Sequence, residues 1–309
     1  MPSLGGATEW LNSEPLGPAE LRGHVVLVNF WTWTCINWLR QEPYIRAWSQ
    51  AYRDDGLIVV GVHTPEFSFE HDIEGVRRAT SERAIDYPIA VDNDYEVWNA
   101  FANHYWPALY FADRDGIIRD QHFGEGRYEQ SERVIQKLLG VERQPVPVEG
   151  LGAEAPADWE HLSTPETYLG YWRSGQFASP QRPAMDDSRA YALPEGLRLN
   201  HWALAGDWTI GAENVALDQA GGTIAFRFHA RDAHLVLSLA TREPIPFRVL
   251  LDGEPPGSSR GADVDEDGHG VLREDRMYQL VRQHDAVRDR TLKITFLEPG
   301  AEAYAFTFG

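Results

Sequence analysis

His24-Val-Val-Leu-Val-Asn-Phe-Trp31, followed by Thr32-Trp33-Thr34-Cys35-Ile36-Asn37-Trp38, decides how this chain is read. The first eight residues are a mostly apolar run of β type, as in a strand covered on both faces. From Ile36 to Tyr52 the residues Leu39, Tyr44, Ala47 and Trp48 recur at helical spacing, and Pro43 within that run predicts a kink. Cys35 therefore stands where a strand hands over to a helix N-terminus. Unpaired N–H groups and the positive end of the helix dipole favour thiolate over thiol at such a place. Cys35 is the single cysteine of 309 residues, so no internal disulfide exists and packing alone must hold the fold. A dithiol redox site needs its second cysteine three residues on, and that position is Trp38.

The rest of the first half keeps alternating strand and helix. Leu57-Ile-Val-Val-Gly-Val-His63 reads as a second buried strand, residues 68–81 as a helix, and Tyr87-Pro-Ile-Ala-Val91 as a short strand. Residues 95–104 read as helix. Ala108-Leu-Tyr-Phe-Ala112 and Ile117-Ile-Arg-Asp-Gln-His122 flank the hairpin signal Asp113-Arg-Asp-Gly116. Residues 130–139 form an amphipathic helix closed by Gly140. This is an α/β domain with a mixed sheet over residues 1–145. Residues 146–163, rich in Pro, Gly and Glu without periodicity, read as a linker. Residues 164–309 carry short alternating segments, among them residues 223–228, 235–239, 247–251, 292–296 and 304–308. Turn residues split them, which predicts an all-β sandwich or jelly roll.

Lys and Arg number 28 against 47 Asp and Glu, a formal net charge of −19. That field argues against nucleic-acid binding and against docking on anionic membranes. No apolar run approaches the ~20 residues needed to span a bilayer, so no membrane insertion is expected. The N-terminus has no basic start and no apolar core of a signal peptide. The expectation is a cytoplasmic protein if the chain is whole, and an extracytoplasmic one if it is a piece of an exported protein.

Phe30-Trp31, Cys35, Pro43 eight residues later, and Trp106-Pro107 ahead of a strand resemble the thioredoxin fold. More narrowly, Trp31-Thr-Trp-Thr-Cys-Ile-Asn37, Val62-His-Thr-Pro-Glu66 and Thr164-Pro-Glu-Thr-Tyr-Leu-Gly170 resemble the soluble region of DipZ-like proteins, within the TlpA-like thiol–disulfide oxidoreductases. The resemblance covers nearly the whole chain. It implies a thioredoxin-like domain followed by a sandwich resembling carbohydrate-binding modules, and no organic cofactor. It maps Cys35 onto the attacking cysteine and Pro107 onto the cis-proline facing it, with Trp33, Thr34, Trp38 and Trp106 on the surrounding surface.

Two departures from that pattern stand out. Trp38 takes the place of the resolving cysteine, and Asn29 that of the buried acid that assists it. The resemblance thus implies a thiolate without an intramolecular disulfide.

Three readings of Cys35 follow. It attacks a disulfide-bearing protein and an external thiol reductant resolves the mixed disulfide. Alternatively it reduces a peroxide through sulfenic acid, with Thr32 placed as in peroxiredoxins but Val28 where a proline is expected. Or the site is retired, Trp38 packs over an inert thiol, and the protein binds ligands through its sandwich. His63 and Glu66, at the end of the second strand, are placed near the mouth of the site, where either can move a proton. The bland reading is a strand-end histidine beside a solvated glutamate.

Asp263-Val-Asp265-Glu-Asp267-Gly-His269-Gly-Val-Leu-Arg-Glu274 fits the spacing of a calcium loop. Asp263, Asp265, Asp267, Glu274 and the His269 carbonyl are its candidate Ca²⁺ ligands. Against this, Pro255-Pro-Gly-Ser-Ser-Arg-Gly261 before it is not helical, and Gly270 replaces an apolar residue. An acidic hairpin loop is the competing reading. Tyr168, Tyr171, Trp172, Trp202 and Trp208 offer stacking faces for a carbohydrate or peptide, with core packing as the alternative.

Overall fold

The computed structural model describes residues 1–241 and 243–309. The chain divides into two compact units, Met1–Ala155 and Pro156–Gly309.

The first unit is an α/β domain. Its strands are β1 (Glu9–Leu11), β2 (Val25–Trp31), β3 (Leu57–His63), β4 (Ile89–Val91), β5 (Ala108–Ala112) and β6 (Ile118–Phe123). Its helices are α1 (Pro18–Leu21), α2 (Ile36–Tyr52), α3 (Ile73–Glu82), α4 (Glu96–Ala100) and α5 (Tyr128–Leu139). The strands lie in the order β1-β4-β3-β2-β5-β6. β2, β3 and β4 run parallel, as helical crossovers require, while β5 and β6 form an antiparallel hairpin. All seven residues of β2 are buried, because helices cover both faces of this central strand.

Alternation along β2 sends its side chains two ways. Val26, Val28 and Phe30 join one apolar cluster, where Phe30 meets Trp98, Phe101 and Tyr110 edge to face. Asn29 and Trp31, at the alternate positions, meet Trp38 of α2.

Local chemistry corrects two sequence readings. The helix expected over 68–81 is a 3₁₀ turn at Ser68–His71 and then α3. Asp72 breaks it by taking an extended backbone and accepting the Glu74 N–H as N-cap. The helix expected over 95–104 shrinks to α4, because Tyr95 and Ala102 adopt positive φ. Asp92 caps it from upstream, accepting the N–H groups of Val97 and Trp98. α2 runs continuously through Pro43.

The second unit is all β: β7 (Thr167–Tyr168), β8 (Ser188–Tyr191), β9 (Trp202–Ile210), β10 (Val215–Leu217), β11 (Thr223–Phe228), β12 (Asp232–Leu239), β13 (Ile245–Leu251), β14 (His269–Leu272), β15 (Arg276–Arg282), β16 (Arg290–Phe296) and β17 (Ala301–Phe308). They form one curled antiparallel path, β14-β13-β16-β11-β9-β10-β17-β12-β15, with β7 added to β17 and β8 to β9. β9 makes the bend. Residues 202–205 pair with β11, and residues 206–209 with β8. Gly206 sits at the change with φ +95°, where a Cβ would stand 3.0 Å from the Gly222 Cα. Strands that switch sheets turn the corner of a sandwich in this way. Phe226, Phe306 and Phe308 pack together inside the fold.

Candidate active site

Cys35 is the N-cap of α2, with an extended backbone (φ −73°, ψ 111°), and its carbonyl accepts the Leu39 N–H at 3.0 Å. The next three N–H groups of a helix start have no intrahelical acceptor. From Trp31 to Arg40 every residue is buried except Cys35 and Asn37, which are half-buried. Cys35 is therefore one of two accessible points, with Asn37, in an otherwise closed segment.

Trp38 lies beneath it, fully buried, and this corrects its expected place on the site surface. Its indole stacks on Trp31, centroids 4.3 Å apart, and its Nε1 donates to Asn29 Oδ1 at 3.2 Å. Asn29 Nδ2 donates to Gln41 Oε1 at 3.0 Å, and Gln41 Nε2 donates to the Gly124 carbonyl at 3.2 Å. The two departures from the dithiol pattern are thus hydrogen-bonded to each other. Asn29 must accept from one neighbour and donate to the next, which a carboxylate cannot do.

His63 is buried between tryptophans, stacked on Trp33 (5.1 Å) and edge-on to Trp31 (5.0 Å). Its Nε2 lies 3.5 Å from Thr32 Oγ1. Burial pushes its pKa down to about 3, so the ring is neutral at physiological pH. It forms part of an aromatic wall and not of the mouth expected from sequence. Trp33 and Thr34 are likewise buried. Trp106 is half-buried, packs on Trp98 (4.2 Å) and donates through Nε1 to the Thr64 carbonyl at 2.9 Å. The Trp106–Pro107 bond is cis, and the Pro107 carbonyl accepts the Gly124 N–H at 2.9 Å.

Glu66 is half-buried, and its N–H points to a residue that sequence reasoning missed. That residue is Glu70, a fully buried carboxyl. Thr34 Oγ1 donates to Glu70 Oε1 at 2.6 Å, while the N–H groups of Glu66 and Phe67 donate to Oε2 at 2.7 and 3.0 Å. Burial raises the Glu70 pKa to about 7 against the opposing pull of those donors. A contact between residues 34 and 70 leaves no local periodicity to read. The only hint is an acid that follows Phe67 and Phe69.

In the second unit the acidic loop is tied up by an arginine. Asp263 makes two bonds to the Arg276 guanidinium (2.7 and 3.1 Å) and accepts the Gln279 N–H at 2.7 Å. Glu274 takes Arg276 Nε at 3.0 Å. Asp265 accepts the N–H of His269 at 2.7 Å, and Asp267 is exposed. Among the described residues no three His, Cys, Asp or Glu side chains gather as metal ligands, so the calcium reading finds no support. Of the motif's carboxylates, those of Asp263 and Glu274 are bound to Arg276. Trp202 and Trp208 are core residues. Trp172 is exposed, Tyr168 lies under the Arg173 guanidinium at 3.6 Å, and Tyr171 donates to Asp186 at 2.9 Å.

Comparison with known proteins agrees with this division. Residues 11–121 match the AhpC/TSA family, and residues 164–309 match the thioredoxin-like C-terminal domain family. Thiol-disulfide oxidoreductase YkuV of Bacillus subtilis is 30% identical over 139 residues, covering 45% of this chain and 93% of that protein. Protein DipZ of Mycobacterium bovis is 32% identical over 319 residues, covering 100% of this chain and 42% of that protein. The chain belongs to the DipZ-like thioredoxin-fold family. It spans less than half the length of the DipZ proteins it matches. A solution structure of a thioredoxin-like protein in the oxidized form is 32% identical, covering 46% of this chain and 96% of that one, with a TM-score of 0.42. Among the described residues of this DipZ-like chain, no helix is long and apolar enough to cross a membrane.

Proposed function

We propose that the first unit exchanges disulfides through Cys35 alone. The observation that carries this is the pairing of an accessible N-cap cysteine with a buried Trp38 at the resolving position. In the first step the Cys35 thiolate attacks one sulfur of a substrate disulfide. A mixed disulfide forms, the substrate S–S bond breaks, and the other sulfur leaves as a thiolate. Position 38 offers no second thiol, so an external thiol attacks the mixed disulfide and returns Cys35 to its reduced form. The partners are accordingly a disulfide-bearing protein and a thiol reductant, and the exchange itself needs no organic cofactor.

The match of residues 11–121 to the AhpC/TSA family supports a second reading, reduction of a peroxide through a sulfenic acid. Intact mass after exposure to glutathione disulfide or to hydrogen peroxide separates the two. Exchange predicts one glutathione adduct on Cys35, released by added thiol. The peroxidase predicts rapid trapping of sulfenic acid by a dione probe. A chain unmodified by either reagent would overturn both and leave ligand binding by the second unit.

A further inference from the structure

We propose that Glu70 is a positioning residue for Cys35: its carboxyl holds the Thr32–Thr34 turn that delivers the thiol to the helix start, and its charge sets how readily that thiol ionises. This rests on Cys35 being the nucleophile. Three donors converge on the Glu70 carboxyl from two segments, the hydroxyl of Thr34 and the amides of Glu66 and Phe67. One segment ends at Cys35, and the other follows β3. The carboxyl is the clamp between them, and Thr34, which donates to it at 2.6 Å, is the residue bonded to Cys35.

The ionisable groups around this clamp are few. Glu66 lies on the same segment and raises the Glu70 pKa. His63 comes from the end of β3, touches Thr32, and is itself opposed by His71. Cys35 closes the turn. When Glu70 ionises, a negative charge forms in a buried setting beside that turn and disfavours a second one on sulfur. When it is neutral, the unpaired N–H groups of the helix start act on the thiolate unopposed. Because Glu70 titrates near about 7, that change falls where protein thiols ionise.

The test is the rate of iodoacetamide labelling of Cys35 in the full chain, from about pH 5 to about pH 10, for wild type, Glu70→Gln, Thr34→Val and Thr34→Ser. Glu70→Gln is expected to label about threefold faster than wild type at about pH 8, with the inflection near neutrality gone. Thr34→Val removes a donor to the ionised carboxylate, so that inflection moves to higher pH, and Thr34→Ser restores the wild-type curve. Should Glu70→Gln fail to fold, the Thr34 pair carries the test. Curves that superimpose across the variants while Cys35 labels rapidly overturn the role of Glu70 and leave the nucleophile standing. Labelling at the rate of an ordinary thiol in every variant overturns the nucleophile, and this proposal with it.

Discussion

Trp38 fills at one position the space and the hydrogen bond that the resolving half of a dithiol site would vacate. Replacing it by Ala removes a buried indole from against Trp31 and is expected to cost about 3–5 kcal/mol in denaturant unfolding. Trp38→Phe keeps the ring packing but leaves the buried Asn29 Oδ1 without its donor, at an expected cost of about 1–3 kcal/mol. No loss for Trp38→Phe beside a large one for Trp38→Ala would show that packing alone matters there. The sequence named Cys35, Trp38 and Asn29 as one problem, because all three sit at fixed offsets in a strand–helix unit. Their mutual geometry was beyond it. Whether Asn29 bonds Trp38, and whether Glu70 reaches Thr34, depends on packing between segments that no local pattern encodes. His63 shows the same limit, since its burial comes from tryptophans at 31 and 33 closing over the strand end.

At the scale of elements, α2 and β2 were legible almost to the residue. A run buried on both faces and a long helical spacing each carry their own signal. β1 was missed because three residues gain strand character only by pairing with β4, some eighty residues away. The break before α3 was signalled by Asp72, an ordinary N-cap residue, but the apolar spacing on either side masked it. α3 also offers a sharp test. Gly75 lies inside this helix, where Gly→Ala normally stabilises by up to about 1 kcal/mol. A Cβ there would stand 2.8 Å from the Trp33 ring, which is held against His63. The clash outweighs propensity, so Gly75→Ala is expected to lower the unfolding temperature. A rise would mean that the Trp33 wall yields freely. In the second unit, Gly206→Ala is expected to cost about 1–3 kcal/mol, because φ +95° and the backbone of Gly222 both exclude a side chain.

At the scale of the whole molecule, buried ionisable groups in the first unit shape the response to pH. Glu42 and Glu70 are both raised by burial to about 7, so the folded chain holds protons there that the unfolded chain has released above about 4.5. Their contribution is lost as pH rises through that window. His63 works in the opposite direction. Its unfolded ring takes a proton below about 6.5, whereas the folded ring refuses one until about 3, so its contribution is lost as pH falls. For these three groups the optimum lies at roughly pH 4.5, and Glu42→Gln with Glu70→Gln should flatten the alkaline limb of unfolding temperature against pH. An unchanged limb would assign it to other groups.

The division into an α/β half and a β-rich half was plain from the change of periodicity and the Pro- and Gly-rich stretch between them. The turn of β9 from one set of partners to another was not, since it rests on one glycine reading as an ordinary strand residue. The whole account turns on the half-buried Cys35 at the start of α2, and its most direct test is the rate of mixed-disulfide formation with glutathione disulfide near pH 7, set against free cysteine. A single adduct on Cys35 that forms about tenfold or more faster than with free cysteine, and persists until thiol is added, is the predicted result. A rate at or below that of free cysteine would contradict it.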